Sequence, residues 1–251
     1  MSLLSLIFPS VCLHCKKPLA QKIIQDVITS EQQFYSDVMA PYLCHTCIQD
    51  FNPGNNLRCC RCGESIYKKD AGKNSCQACF HFKQTFENVS FAGLYQGSYK
   101  QLIHLYKFKN KRQLARPFAQ LLKNKFEKTW CIHQIDRIAP VPLHISRLRE
   151  RGFNQALLML WQWKEKPFQS KIVPQLLIRV RPTHSQTLLP RKERMKNLRS
   201  AFQLNNKYSV AGQRIVLVDD VYTTGATAFS CAQVLKENGA AGVYILTLAR
   251  A

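Results

Sequence analysis

The sequence lacks any run of about 18 consecutive apolar residues, the length a helix needs to span a membrane. We therefore expect no membrane-spanning segment. The first twelve residues are apolar, but no Lys or Arg precedes them and no small-residue cleavage site follows, so we expect no secretory signal peptide. Both absences favour a cytoplasmic protein. The sequence also lacks the motif G-x-x-x-x-G-K-[ST], which excludes a P-loop nucleoside triphosphatase.

Acidic residues are scarce. There are 15 Asp and Glu against 36 Lys and Arg, which gives a formal net charge of +21. Eight cysteine thiolates holding two zinc ions would lower this charge to about +17. A charge of this sign favours a polyanionic partner, above all nucleic acid. The alternative is a basic surface that only aids solubility. Apolar residues make up 46% of the chain, which is enough to bury a core.

Eight of the eleven cysteines form four pairs, each with two residues between its members, and all lie in the first 79 residues. Disulfides need no such regularity, whereas a tetrahedral metal site does. Without a secretory signal, reduced thiolates are the better prediction. Four-cysteine sites leave no open coordination position, so we predict two structural zinc ions. The pairs are Cys12/Cys15, Cys44/Cys47, Cys59/Cys62 and Cys76/Cys79.

The order of the pairs favours a sequential grouping, although an interleaved one stays open. The first and third pairs resemble zinc knuckles, which are tight turns whose backbone amides face the metal. The second and fourth pairs resemble the other half-site, where a helix often begins. Cys60 is expected not to bind metal. In the sequential grouping, one ion is held by Cys12, Cys15, Cys44 and Cys47, and the other by Cys59, Cys62, Cys76 and Cys79.

The loss of paired cysteines marks a domain boundary near residue 85. We predict a zinc-binding domain over 1–85 and a second domain over 86–251. In the second domain apolar strands alternate with helices, which predicts an α/β fold with a parallel sheet flanked by helices. We expect strands over 88–95, 136–141, 214–218 and 242–248, and helices over 99–109, 114–126, 226–237 and from about residue 154. A short helix is also expected at IIQDVI, residues 23–28.

The segment IVLVDDVYTTGAT, residues 215–227, has the composition of a phosphate-binding loop. An apolar strand ends at Asp219 and Asp220, whose carboxylates suit ribose hydroxyls or a metal-bound water. In the loop that follows, a glycine allows close backbone approach, and amides at a helix N-terminus attract an anion. The alternative is an ordinary strand–turn–helix crossover. The predicted phosphate ligands are Thr223, Thr224, Gly225, Ala226 and Thr227.

This segment resembles the signature of the type I phosphoribosyltransferases. The stretches PVPLHISRLRERGFNQA (140–156) and QTLLPRKERMKNLRSAF (186–202), together with the paired cysteines, resemble the ComF/GntX family. The resemblance covers nearly the whole chain. It implies a phosphoribosyltransferase-like domain that binds phosphoribosyl pyrophosphate with Mg²⁺, and a role in DNA uptake during natural transformation.

The resemblance also implies roles for two basic segments. The loop after an earlier strand would receive pyrophosphate, with His144, Arg147 and Arg151 as contacts. Independently, arginines beside a prolyl turn concentrate charge as a pyrophosphate clamp would, although a solvated basic helix face is the alternative. Residues 182–198 correspond to the family's flexible loop that closes over the ligand, with Arg191 and Arg194 as its best contacts.

As an enzyme, such a protein would displace pyrophosphate from the anomeric carbon of ribose. Mg²⁺ would bridge pyrophosphate and ribose oxygens. Asp219 and Asp220 would act as catalytic residues that position the sugar and stabilise its cationic character. The acceptor is not visible in the sequence.

The alternative is a non-catalytic DNA-binding or adaptor protein on the same scaffold. Residues 99–112 interleave Tyr99, Tyr106 and Phe108 with lysines, a pattern that suits single-stranded DNA, although Tyr106 at helical spacing also suits a core. An adaptor would dock a protein of the DNA-uptake machinery.

Overall fold

The structure is a computed structural model that describes residues 11–19, 30–54, 58–66, 75–77, 79, 85–181 and 201–251. Its centre is a parallel sheet of four strands in the order β1-β6-β5-β2, and β3 and β4 form a separate antiparallel pair. The predicted parallel sheet is therefore confirmed. The strands are β1 (Val89–Leu94), β2 (Arg137–Pro140), β3 (Leu177–Arg179), β4 (Phe202–Leu204), β5 (Arg214–Tyr222) and β6 (Gly242–Arg250).

Helices flank this sheet, as the alternating pattern predicted. Short 3-10 turns occur at Arg112–Leu114 and Ile132–Gln134. No helix among the described residues is long and apolar enough to cross a membrane. The α-helices are α1 (Ser30–Met39), α2 (His45–Gln49), α3 (Gly97–Phe108), α4 (Ala115–Thr129), α5 (Ile145–Arg151), α6 (Gln155–Leu160), α7 (Lys166–Gln169) and α8 (Ala226–Glu237).

Strand β5 is buried on both faces, as its apolar sequence predicts. Val216 and Val218 belong to the core beneath α3, α4 and α6, whereas Ile215 and Leu217 belong to the core beneath α8. Because β2, β5 and β6 run parallel, their carboxyl ends meet at one edge of the sheet. The loops that follow β2 and β5 therefore lie side by side at that edge.

The first cysteine module shares the core of the sheet domain. Tyr35 stacks on Phe51 with ring centroids 3.7 Å apart, and both rings meet the edge of Tyr99 in α3. The backbone N–H of Ser98 donates to Asp50 Oδ2 over 2.7 Å, which caps the start of α3 from the cysteine module. One continuous core thus crosses residue 85, and the division into two domains there stays a prediction.

Strand β5 is longer than the sequence suggested. It was expected to end at Val218, but Val221 and Tyr222 still pair with Ala249 and Arg250 of β6. Asp219 and Asp220 therefore lie within the strand, and the loop consists of the three residues 223–225. Helix α5 was not among the predicted elements. The expected helix at residues 23–28 lies outside the described residues.

Candidate functional site

The two zinc-knuckle sequences fold into the same turn. The N–H of Cys12 donates to the carbonyl of Lys17, and that of Cys59 donates to the carbonyl of Glu64, both over 2.8 Å. The residue after each second cysteine has a positive φ, 65° at Lys16 and 69° at Gly63. The two tight turns predicted at the first and third cysteine pairs are therefore confirmed.

The sulfur atoms assemble into two sets of four, in the sequential grouping. Within each set all Sγ atoms lie within 4.8 Å of one another. The Cys15–Cys44 distance is 3.5 Å and the Cys62–Cys76 distance is 3.6 Å, close to the roughly 3.8 Å that tetrahedral Zn–S bonds of about 2.3 Å require. The interleaved grouping is wrong. Cys60 is exposed and belongs to neither set. Each set could hold a zinc ion.

The thiols within the cysteine sets differ in acidity. Burial raises the pKa of Cys12, but backbone hydrogen bonds from Cys15, Cys44 and His14 outweigh it and lower the value to about 6. In the second set, burial chiefly raises the pKa of Cys62 to about 12. Because neighbouring thiolates repel one another, four can ionise together only around a positive charge.

The two predicted catalytic carboxylates have different surroundings. Lys107 Nζ of α3 lies 2.8 Å from Asp220 Oδ1, and both side chains are largely buried. Asp219 Oδ1 accepts the N–H of Asp220 over 2.8 Å. The charge of Asp219 acts to raise the pKa of Arg179 and that of Cys231, which lie on the side of the sheet covered by α8. Sequence reasoning assigned Lys107 to DNA and missed it as the partner of Asp220, because no local pattern joins positions so far apart.

Burial, and after it the neighbouring charge of Asp220, raise the pKa of Asp219 to about 7 against the opposing effect of Lys107 and Arg151. A carboxyl with such a pKa is only partly ionised at neutral pH. A bound cation, or positive charge on a ligand, would complete its ionisation.

The loop after β5 presents unused backbone donors. Gly225 has φ 77° and begins α8, whose first closing bond runs from the Phe229 N–H to the Gly225 carbonyl over 2.8 Å. The N–H groups from Thr223 to Thr227 have no acceptor among the described residues. Thr223 is exposed, and Thr224, Gly225 and Thr227 are half-buried. The five predicted phosphate ligands thus span this loop and the first two residues of α8 at the end of the sheet, and Ala226 among them is buried.

The predicted pyrophosphate contacts lie beside this loop, on the connection after β2. The His144 ring accepts the N–H of Ser146 and so caps α5. Arg147 is half-buried and pairs with the exposed Glu150 at 2.7 Å, an ion pair within the helix that suits the alternative of a basic helix face. Arg151 lies over Phe108 at 5.0 Å and contributes to the potential at Asp219. Two further predicted contacts, Arg191 and Arg194, lie outside the described residues.

The aromatic residues of α3 divide between core and surface. Tyr99 and Tyr106 are buried, and their hydroxyls donate to the carbonyls of Leu248 and Gln155. The expectation that they stack on bases is therefore wrong for these two rings, since helical spacing turns both inward. Phe108 is 51% exposed, so its ring is accessible to a base.

Known proteins resemble this chain over most of its length. No family model matches it. DNA utilization protein YhgH of Escherichia coli is 34% identical over 181 residues, which are 70% of this chain and 77% of that protein. Competence protein F of Haemophilus influenzae is 32% identical over 202 residues, 77% of this chain and 84% of that protein.

The chain belongs to the ComF family. A further ComF relative, competence protein ComFC of Bacillus subtilis, is 32% identical over 157 residues, 62% of this chain and 61% of that protein. The family resemblance inferred from the three separated sequence motifs is therefore confirmed.

The cysteine geometry predicts the metal content of the ComF protein. The purified chain should hold two zinc ions, measured by atomic emission. Cys62→Ser should hold one, because it removes a ligand from a closed site. Cys60→Ser, which changes the adjacent exposed thiol, should keep two. A folded wild-type protein without zinc, or a loss with Cys60→Ser alone, would contradict the assignment.

The raised pKa of Asp219 predicts a pH-dependent effect of Asp219→Asn on stability. Because the folded state binds this proton more tightly than the unfolded chain, the acid stabilises the fold below about pH 4 and loses that contribution as pH rises to about 7. Asn stays neutral throughout.

The melting temperature of Asp219→Asn minus that of wild type should therefore be more positive at pH 8 than at pH 5. Comparing the two proteins at each pH cancels any acid lability of the zinc sites. An equal difference at both values would mean that Asp219 is not perturbed.

Proposed function

We propose that this ComF protein binds phosphoribosyl pyrophosphate or a close relative together with Mg²⁺, and binds single-stranded DNA, in the cytoplasm during DNA uptake. The observation that carries the sugar-phosphate proposal is the row of N–H groups from Thr223 to Thr227, none of which has an acceptor in the part of the chain that the structure describes. Amides at the start of a twelve-residue helix supply both donors and positive potential for a 5-phosphate.

The groups around the loop fit the remaining parts of the ligand. Asp219 and Asp220 lie near the carboxyl end of β5, where they would take ribose hydroxyls and Mg²⁺-bound water. The hard oxygen donors suit this cation, and its charge would favour the ionised form of Asp219. On the neighbouring connection, His144 and Arg151 would contact the pyrophosphate. Bound there, Mg²⁺ would neutralise charge on the leaving pyrophosphate.

A protein with this site could be an enzyme or a non-catalytic binding protein. A phosphoribosyltransferase would break the bond between the anomeric carbon and pyrophosphate and form one to an acceptor, with Asp219 and Asp220 stabilising positive charge on the ribose. The ion pair between Lys107 and Asp220 favours the second reading, a non-catalytic binding or adaptor protein. A carboxylate already neutralised by a lysine stabilises a developing cation less well. Release of pyrophosphate over a panel of bases and DNA ends separates the two.

The DNA proposal depends on charge and on Phe108. The chain carries 36 Lys and Arg, and Phe108 is an exposed ring beside Arg151, at the end of α3 that also supplies Lys107 to the candidate site. An exposed aromatic with a neighbouring guanidinium suits stacking on an unpaired base. The printed names of the relatives, DNA utilization and competence proteins, agree with this role. The zinc modules would supply a surface for a protein of the uptake machinery.

Saturating phosphoribosyl pyrophosphate with Mg²⁺ should raise the melting temperature of the wild-type protein. At a concentration one hundred times the dissociation constant, the rise is about 5–10 °C for a chain of this size. The combined change of Asp219→Asn and Asp220→Asn should remove most of it. Asp37→Asn, an exposed aspartate on α1, serves as the control and should keep the full rise. An equal rise in all three proteins would place the ligand elsewhere.

Phe108→Ala should weaken binding of an oligothymidine by about 1–3 kcal/mol, because one stacking surface is lost. Fluorescence anisotropy at several salt concentrations measures the affinity, which should fall steeply with salt in both proteins. Tyr208→Ala is the control, since its ring also contacts an arginine, Arg137, but near the amino ends of β2 and β5. Equal losses in both variants, or binding that salt does not weaken, would contradict the proposal.

A further inference from the structure

Arg250 connects the second cysteine set to the candidate phosphate loop. It is the last residue of β6 and is 9% exposed. Its Nε donates to the carbonyl of Cys62 over 3.3 Å, and one terminal nitrogen forms an ion pair with Glu64. The other terminal nitrogen donates to the carbonyl of Thr223 over 3.0 Å. All three guanidinium nitrogens are thus used, two toward the cysteine knuckle and one toward the loop.

The contact with Thr223 fixes the direction of a loop amide. A trans peptide is planar, so the carbonyl oxygen of Thr223 and the N–H of Thr224 point in opposite directions. While Arg250 holds the carbonyl on the side of the cysteine knuckle, the N–H of Thr224 must point away from it. That N–H is one of the donors left open for a phosphate.

Arg250 also holds the ring beneath the loop glycine. Its guanidinium carbon lies 5.2 Å from the centroid of the Tyr222 ring, and Phe86 meets this ring edge-on at 6.3 Å. A Cβ on Gly225 would lie 2.2 Å from the Tyr222 hydroxyl, so the ring is directly against the glycine backbone. Arg250 therefore contacts the loop both through a carbonyl and through the ring that supports its turn.

On the other side, Arg250 contacts a segment whose geometry is set by the cysteines. Cys62 belongs to the second set, and the carbonyl of Glu64 closes the knuckle by accepting the N–H of Cys59. A metal bound by the four sulfur atoms would fix this turn, and with it the carbonyl and carboxylate that orient Arg250.

We propose that Arg250 is a positioning residue that couples metal binding at Cys59, Cys62, Cys76 and Cys79 to the conformation of the phosphate loop. This inference rests on the proposed function, because it names the loop as the ligand site. The second zinc ion then does more than stabilise its own module: it keeps the N–H of Thr224 directed at the ligand. Loss of that metal would weaken sugar-phosphate binding without touching any residue that contacts the ligand.

Lysine is the informative substitution, because it keeps the charge but has no planar fork able to hold two carbonyls and a carboxylate at once. In the zinc-loaded protein without ligand, Arg250→Lys should make the Phe229 amide, which donates to the Gly225 carbonyl of the loop, exchange about fivefold faster or more. The affinity for Mg²⁺–phosphoribosyl pyrophosphate should fall by a similar factor. Hydrogen–deuterium exchange measures the amide rate and calorimetry measures the affinity. The zinc content of each protein is verified first.

Two other variants frame this test. Glu64→Gln removes the charge of the exposed carboxylate that pairs with Arg250, so it should give a smaller change in the same direction. If the Arg250→Lys protein does not fold, Glu64→Gln takes its place in the test. Arg137→Lys is the matched control, since Arg137 Nε also donates to a side chain and its guanidinium also lies over a tyrosine, but near the amino ends of the strands. It should leave both measurements unchanged.

The outcomes separate this inference from the proposed function. If the wild-type protein binds the sugar phosphate and neither Arg250→Lys nor Glu64→Gln alters exchange or affinity, the coupling is wrong and the binding site stands. If the wild-type protein does not bind the sugar phosphate, the proposed function is wrong, and the exchange rate of the Phe229 amide still decides whether Arg250 orders the loop.

Discussion

The candidate site depends on the parallel pairing of β5 with β2 on one side and β6 on the other. This pairing brings three carboxyl ends to one edge, and each strand delivers a different group there. β5 contributes the carboxylates and the amide-rich loop, β2 the connection with His144, and β6 contributes Arg250. Because β5 is buried on both faces, the positions of Asp219 and Asp220 are set by core packing rather than by a surface loop.

The cysteine modules are joined to this arrangement through packing as well as through Arg250. Tyr35 and Phe51 complete the core above Tyr99, so the first module covers one face of the sheet domain. Burial, and after it the charge of Cys59, raise the pKa of Cys62, so a cation bound by the second set would favour its thiolate. Metal binding by the cysteines is therefore coupled to the folding of the sheet domain.

Local patterns were sufficient to predict much of this structure. The cysteine spacing gave the metal sets, and the apolar run before Asp219 gave the strand and its loop, because such features depend on neighbouring residues. The ion pair of Lys107 with Asp220 and the contact of Arg250 with Cys62 join residues far apart in the chain, and no periodicity reports them. Tyr106 shows a different limit of local patterns. Aromatic residues and lysines at helical spacing suit a core as well as a DNA-binding surface, and Tyr106 is buried in the core.

The two knuckles share a backbone turn but are not interchangeable. At the position where the first carries Lys16, the second carries Gly63, and a Cβ there would lie 2.6 Å from the Phe91 ring of β1. Only the glycine copy can therefore sit flush against the sheet, while the lysine copy must face outward. Because of this single difference in bulk, exchanging the two copies would place a side chain against the Phe91 ring.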